Sequence, residues 1–141
     1  MHDQFSTLLN IPDSLPLPQV IFLDAFGTLF GVRDSVGQIY SEVASKYGVN
    51  CQPELLNQYF YLAFKNSSPC VFPGVASVDI AQQEYQRWRE TNRQTFTGAG
   101  VWDQFDDFDA FFQELYQYFT TPSAWKIYPD TIPALTQWQR S

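Results

Sequence analysis

The chain has 141 residues, of which 45% are hydrophobic and 18% aromatic, so it is long and apolar enough to bury one core. Its formal net charge of −7, with no cluster of Lys or Arg, argues against nucleic-acid binding. No apolar run approaches the roughly 20 residues that span a bilayer, and no signal peptide precedes the fold, so a cytoplasmic protein is predicted.

The chain begins with a segment that favours neither helix nor strand. Residues 11–18 hold three prolines, which remove backbone donors, so residues 1–19 are predicted to form an N-terminal extension. Val20–Leu23 is a short run of β-branched and aromatic residues, typical of one strand buried on both faces. The strand is predicted to end at Asp24, and Gly27 follows three residues later.

Four helices are predicted next, because apolar residues then recur at helical spacing. Gly48 ends the first helix, a loop with prolines and serines follows the second, and Thr97–Gly100 ends the third. The fourth carries a wide aromatic face, which is more typical of a core than of a groove for a partner. The predicted helices are residues 35–48, 53–65, 79–96 and 105–119.

The apolar stripe of each helix predicts which side chains it buries. For the third helix these are Ile80, Tyr85 and Trp88, with Thr95 or Phe96 near its end. The second helix is predicted to bury Leu55, Leu56, Tyr59, Phe60 and Phe64, and the fourth Phe108, Phe111, Phe112, Leu115, Tyr116 and Phe119.

The last part of the chain is predicted to contain a short extended stretch, Trp125–Tyr128, and an amphipathic helix, Ile132–Trp138. One buried strand with several helices is an incomplete inventory for an α/β domain, because a parallel strand needs neighbours on both sides. The sequence therefore predicts that part of the sheet lies outside this chain.

The residues around Asp24 carry the strongest chemical signal. A carboxylate at the carboxyl end of a buried parallel strand lies where open α/β sheets bind their ligands. Gly27 permits a tight turn, whose amides can converge on an anion beside Asp24. Thr28 adds a hydroxyl that either donates to such an anion or caps the turn.

The segment Ile21–Phe30, with the sequence IFLDAFGTLF, resembles the first motif of the haloacid dehalogenase-like (HAD) hydrolases, a hydrophobic strand followed by D-x-D-G-T-L. Trp125–Leu135 resembles the family's return from cap to core. The resemblance implies an α/β fold. A partial Rossmann-like core would carry the first-motif strand, and a cap of four helices would be inserted after it, so that this chain would be predominantly helical. The implied domains are the N-terminal extension (1–19), the first core strand and motif loop (20–33), the helical cap (34–122) and the truncated return to the core (123–141).

The resemblance also implies a reaction. Asp24 would be the nucleophile that attacks a small phosphorylated substrate and forms an aspartyl-phosphate. Asp24 and the backbone carbonyl of Phe26 would bind Mg²⁺. Backbone amides from Phe26 to Thr28, including that of Gly27, would bind the phosphoryl group.

The chain departs from the family pattern at Phe26, where phosphatases of the family have a second Asp that acts as general acid. A phenyl ring transfers no proton. Asp-Ala-aromatic-Gly-Thr-Leu-Phe also resembles the first motif of the family's 2-haloacid dehalogenases, which need neither that acid nor Mg²⁺. In that alternative, Arg33 is a candidate contact for a halide or a carboxylate.

The family's other motifs, a Ser or Thr, a Lys and an acidic pair, are expected beyond Ser141. The chain alone is therefore expected to be incomplete and to show little or no turnover. A non-catalytic alternative is a helical interaction protein derived from a HAD fold, which would form a homodimer or bind a protein partner through exposed aromatic residues.

Other clusters have simpler interpretations. Asp106, Asp107 and Asp109 are expected to favour a helix start rather than to bind a metal. Arg87, Arg89 and Arg93 interleave with Glu84 and Glu90, a pattern typical of a solvated helix side with ion pairs. Cys51 and Cys70 are too far apart for a Cys-x-x-Cys pair, and His2 is the only histidine, which excludes most histidine-dependent chemistry.

Overall fold

The computed structural model describes residues 20–69 and 71–139. The predicted extension at residues 1–19, with His2, and the residue Cys70 therefore lie outside the described residues. None of the described helices is long and apolar enough to cross a membrane. In chain order the elements are β1 (Phe30–Val32), α1 (Val36–Ser45), α2 (Pro53–Asn66), α3 (Ser77–Gly98), α4 (Phe108–Tyr118), β2 (Trp125–Ile127) and α5 (Thr131–Gln139), with single 3₁₀ turns at Trp102–Gln104 and Pro122–Ala124.

Each predicted helix forms, and local signals explain where it begins. Ser35 caps α1, because its hydroxyl oxygen accepts a hydrogen bond at 3.1 Å from a backbone N–H of the first turn. Pro53 occupies the first position of α2, where the N–H that proline lacks would have no partner in the helix. Asp107 caps α4 in the same way as Ser35 caps α1, at 2.9 Å, so the fourth helix begins at Phe108 and not at Phe105.

The hydrophobic core lies among α1, α2, α4 and the second half of α3. Phe111, Phe112 and Leu115, on the aromatic face of α4, are at most 1% exposed. Phe96 of α3 meets Phe105 and Phe111 edge-on, with ring centroids 5.0 and 5.1 Å apart. The core position predicted for this aromatic face is therefore confirmed. The buried cluster comprises Ile39, Tyr40, Val43, Ala44, Val49, Leu56, Phe60, Phe96, Phe108, Phe111, Phe112 and Leu115.

The first two turns of α3 lie outside this core, which makes the prediction for Ile80 wrong. Ile80 is 40% exposed and Val78 is 86% exposed. α3 has 22 residues and is longer than α1, α2 and α4, which have 10, 14 and 11, so not all of its turns find a place in the buried cluster. Leu55 and Phe64 of α2 are also more exposed than predicted, because they lie at the edges of the buried stripe.

Two short strands join the segments on either side of the helical block, residues 34–122. β1 and β2 pair in antiparallel orientation, with Val32 opposite Trp125. Just beyond this pair, the N–H of Arg33 donates to the carbonyl oxygen of Ala124 at 2.9 Å. The two ends of the helical block are therefore held side by side.

The predicted strand Val20–Leu23 is not formed. The segment lies in no sheet, and its side chains are exposed, with Phe22 at 94%. A strand buried on both faces needs a neighbour on each side, and the described strands, β1 and β2, pair with each other instead. The predicted predominance of helix is confirmed. The predicted partial Rossmann-like core is not confirmed, because the sheet within residues 20–69 and 71–139 is one antiparallel pair of strands.

An ion pair on the surface ties the end of α1 to α4. The Lys46 ammonium lies 2.6 Å from one oxygen of Glu114, and the hydroxyl of Tyr47 donates to the other oxygen at 2.8 Å. Lys46, and after it Tyr47, lowers the pKa of the Glu114 carboxyl, and the same hydrogen bond raises the pKa of the Tyr47 phenol. The charged form of Glu114 is therefore favoured in the folded state.

Replacing Glu114 with Gln is expected to lower the melting temperature at pH 7 and to have less effect at pH 3. The lowered pKa of Glu114 stabilises the fold above the unfolded-state value of about 4.3, and this stabilisation is lost as the pH falls through the folded-state pKa. Because the pair is largely exposed, we expect less than about 1 kcal/mol at pH 7. Melting curves at both pH values, with Glu84→Gln as control, test this; an equal loss at both would contradict it.

Candidate functional site

The segment that follows the predicted nucleophile folds into one tight turn. The carbonyl oxygen of Ala25 accepts backbone hydrogen bonds from Thr28, Leu29 and Phe30 at 3.3, 2.8 and 3.3 Å, and the N–H of Gly27 donates to the Phe30 carbonyl at 2.8 Å. Gly27 has a φ of +81°, in the left-handed region that glycine enters without strain. The tight turn predicted from Gly27 is therefore confirmed.

Two residues near the end of the chain, Tyr128 and Thr131, form hydrogen bonds with this turn. The carbonyl oxygen of Leu29 accepts one hydrogen bond from the N–H of Tyr128 at 3.1 Å and another from the hydroxyl of Thr131 at 2.6 Å. Thr131 is the first residue of α5, and it is buried. The sequence pattern does not predict this contact, because residues 102 positions apart leave no local signal for a hydrogen bond.

Asp24 lies immediately before the turn and is exposed. A cleft of about 170 Å³ lies nearby, between the turn and α5. Asp24 does not line this cleft, so the described residues do not place the predicted nucleophile in that pocket. The lining residues are Leu23, Thr28, Leu29, Asp130, Thr131, Ala134, Leu135 and Trp138.

Phe26 presents an exposed ring two residues after Asp24. Its side chain meets Trp125 edge-on, with ring centroids 6.2 Å apart, and Phe30 meets the same indole at 5.5 Å. The indole N–H of Trp125 donates to the carbonyl oxygen of Phe119 at 3.0 Å, which anchors this aromatic group to the end of α4. The position where family phosphatases have the general acid is therefore occupied by an exposed phenyl ring that packs against an indole.

The amides predicted to bind phosphate are largely used by the turn itself. The N–H of Gly27 donates to Phe30, and the N–H of Thr28 donates to Ala25. An amide that already donates within a turn must release that bond before it binds a phosphoryl oxygen. The phosphate-binding role of Phe26, Gly27 and Thr28 stays a prediction.

The Mg²⁺ ion implied by the family resemblance needs more donors than the described residues bring together. Mg²⁺ prefers six oxygen ligands in octahedral geometry, some of them from water and substrate. Asp24 offers one carboxylate and Phe26 one backbone carbonyl, and the described part of the chain contains no group of three or more His, Cys, Asp or Glu residues placed to hold a metal ion. These two donors do not make a Mg²⁺ site.

The arginines of α3 make structural contacts. Arg93 pairs with Glu90 of the same helix at 2.6 Å, which confirms the predicted ion pairing on this side of α3. Arg89 instead reaches across to Asp109 of α4. Arg87 donates hydrogen bonds to the loop that follows α2. Arg87 and Arg89 therefore join α3 to other segments of the fold, whereas Arg93 forms its ion pair within α3.

The other candidate residues also have structural roles. Asp107 caps α4, as the acidic residues at this helix start predicted. Arg33, the candidate halide or carboxylate contact, lies 3.2 Å from its neighbour Asp34. Burial raises the pKa of the Cys51 thiol, which favours its protonated form.

Three curated relatives match the chain, and each bears the name haloacid dehalogenase-like hydrolase domain-containing protein 3. The Xenopus laevis protein is 32% identical over 117 residues, which make up 83% of this chain and 47% of that protein. The Bos taurus protein is 31% identical over 104 residues (74% and 40%), and the Xenopus tropicalis protein is 31% identical over 117 residues (83% and 60%). No protein-family model matches the chain.

The chain thus spans about half the length of the curated relatives that it matches. The 117 aligned residues make up 83% of this chain, so they must include a large part of the helical block. The resemblance inferred from Ile21–Phe30 is confirmed.

Proposed function

We propose that this chain, which resembles the haloacid dehalogenase-like hydrolases, supplies the nucleophile segment and the helical cap of a phosphatase-type enzyme. The substrate would be a small phosphorylated metabolite. The main support is the 32% identity with the Xenopus laevis relative over 83% of the chain. The motif from Asp24 to Phe30 adds a specific candidate for the attacking group.

Asp24 would act as the nucleophile. One carboxylate oxygen attacks phosphorus, a new O–P bond forms, and the bond from phosphorus to the leaving oxygen breaks, which leaves an aspartyl-phosphate. Water then attacks the same phosphorus, releases inorganic phosphate and restores the carboxylate. The leaving oxygen would take its proton from solvent, because Phe26 has none to give, so substrates with good leaving groups should react faster.

The reaction also needs positive charge. A carboxylate and a phosphate repel each other, and compensating cations in a site shielded from water lower the barrier to attack. The family resemblance implies that Mg²⁺ and a lysine would provide this charge. Asp24 and the Phe26 carbonyl would supply only part of the Mg²⁺ site, and the lysine and the acidic pair for the metal belong to motifs expected beyond these 141 residues. We therefore expect no measurable turnover from the chain alone.

A fusion protein tests the proposal. Residues 1–139 are joined to the part of the Xenopus laevis relative that follows the aligned segment, and p-nitrophenyl phosphate hydrolysis is measured with and without Mg²⁺. We expect Mg²⁺-dependent phosphate release from the fusion and none from the 141-residue chain or from the fusion with Asp24→Asn. Asp34→Asn, the same change at an exposed carboxylate outside the motif, is the matched control and should keep full activity.

Several results would contradict the phosphatase proposal. A fusion that folds, as judged by circular dichroism, but stays inactive would argue against it, as would activity that survives Asp24→Asn. Release of chloride from 2-chloropropionate without Mg²⁺ would favour the dehalogenase alternative. An inactive fusion together with a stable dimer of the 141-residue chain would favour the interaction protein, with the exposed segment Val20–Leu23 as its first candidate contact.

A further inference from the structure

We propose that Thr131 is a positioning residue for Asp24: its hydroxyl fixes the turn that follows the nucleophile. The functional meaning of this role rests on the proposed function of Asp24. The hydrogen bond from Thr131 to Leu29 can be tested whether or not Asp24 is a nucleophile, because both residues lie in the described part of the chain.

The link from Thr131 to Asp24 runs through Leu29. The N–H of Leu29 donates to the carbonyl oxygen of Ala25 at 2.8 Å, and the carbonyl oxygen of Leu29 accepts from the Thr131 hydroxyl at 2.6 Å. Ala25 is joined to Asp24 by a peptide bond. Leu29 is therefore hydrogen-bonded through both its N–H and its carbonyl group, and it connects α5 to Ala25, the residue next to the nucleophile.

Thr131 is well placed to act as a fixed anchor. It is 7% exposed, and its own N–H donates to the carbonyl oxygen of Tyr128 at 3.1 Å. Threonine is branched at Cβ, which restricts the rotation of its side chain. The Tyr128 N–H also donates to Leu29, at 3.1 Å, so the hydroxyl of Thr131 provides the shorter of the two bonds.

The turn depends on such an anchor because no strand pairing holds the described segment before it. Val20–Leu23 lies in no sheet, and Asp24 is exposed. The position of Asp24 therefore depends on what holds the turn after it. Reaction rates fall steeply when a nucleophile is misplaced, so an anchor on this turn would matter for catalysis.

Hydrogen exchange in the 141-residue chain tests the anchor without any assay of activity. Thr131→Val keeps the shape of the side chain and removes the hydroxyl, and we expect the amides of Leu29 and Phe30 to exchange about fivefold to tenfold faster. Thr131→Ser restores a hydroxyl and should restore slow exchange. Thr121→Val removes a comparable hydroxyl, bonded locally to the Tyr118 carbonyl at 2.7 Å, and should leave the turn unchanged.

The pattern of the result separates positioning from general stability. Unchanged exchange at the turn, equal acceleration in the core helices α1 and α4, or failure of Thr131→Ser to restore protection would overturn the proposal. In the fusion enzyme, Thr131→Val should lower kcat with little change in KM, since Thr131 would not bind substrate. If the proposed function fails, the fusion shows no dependence on Asp24 while the exchange result stands.

Discussion

Replacing Phe26 with Asp is expected to raise the phosphatase rate of the fusion enzyme by about 10²–10⁴-fold on an alkyl phosphate, whose leaving group needs a proton. The substitution restores the acidic residue that the family pattern has at this position. The exposed ring of Phe26 makes an edge contact with Trp125 at 6.2 Å, so its loss should cost little stability. Values of kcat for alkyl and p-nitrophenyl phosphates measure the effect, which should be much smaller for the second substrate.

Phe26→Asn is the matched control, because its side chain has the shape of aspartate but is no acid in this pH range. We expect Asn to leave the slow alkyl phosphate reaction nearly unchanged. The Asp variant should also acquire a fall in rate at high pH, where the acid is deprotonated. Equal gains from Asp and Asn would mean that the ring of Phe26 merely obstructs the site, and no gain from either would place Phe26 away from the leaving group.

The second large effect concerns the fold: Gly37→Ala is expected to lower the free energy of unfolding by about 3 kcal/mol. A Cβ at Gly37 would overlap the carbonyl oxygen of Pro53 and stand 2.8 Å from the backbone nitrogen of Asn57. Backbone atoms cannot rotate away as a side chain can, so α1 and α2 would have to separate. Separation would also weaken the 2.7 Å hydrogen bond from the Gly37 N–H to the Asn57 side chain.

Gly48→Ala provides the comparison for this substitution. Gly48 has a φ of +77°, and no atom lies within 4 Å of the position that a methyl group would take there, so alanine adds backbone strain of about 1–2 kcal/mol and no clash. Denaturant unfolding followed by circular dichroism measures both variants. A loss at Gly37 no greater than that at Gly48 would show that the two helices can move apart at low cost.

The helices could be predicted because local chemistry determines their ends. Ser35, Pro53 and Asp107 each act within one turn of the chain, and each is readable as a start signal. Which side chains they bury is less local. Thr91 and Asn92 are buried although they are polar. Each side chain donates a hydrogen bond to the carbonyl oxygen four residues earlier, at 3.0 and 2.9 Å, which makes its burial less costly.

The strand and the candidate site depend on contacts that are distant in sequence. Val20–Leu23 has the composition of a buried strand, yet a strand forms only where a neighbour offers hydrogen bonds, and composition does not supply one. The turn after Asp24 could be predicted from Gly27, because glycine adopts a positive φ without strain and this depends on one residue alone. Thr131 could not be predicted as the anchor of that turn, since its partner Leu29 is remote.

The adjacent ends of the helical block have a consequence for how such proteins diversify. Because Arg33 and Ala124 are hydrogen-bonded neighbours, everything between them enters and leaves the rest of the molecule at a single place. A segment attached in this way can be gained, deleted or exchanged as one insertion without stretching any connection. The whole block could therefore be exchanged without changing how the turn after Asp24 is connected to the rest of the chain.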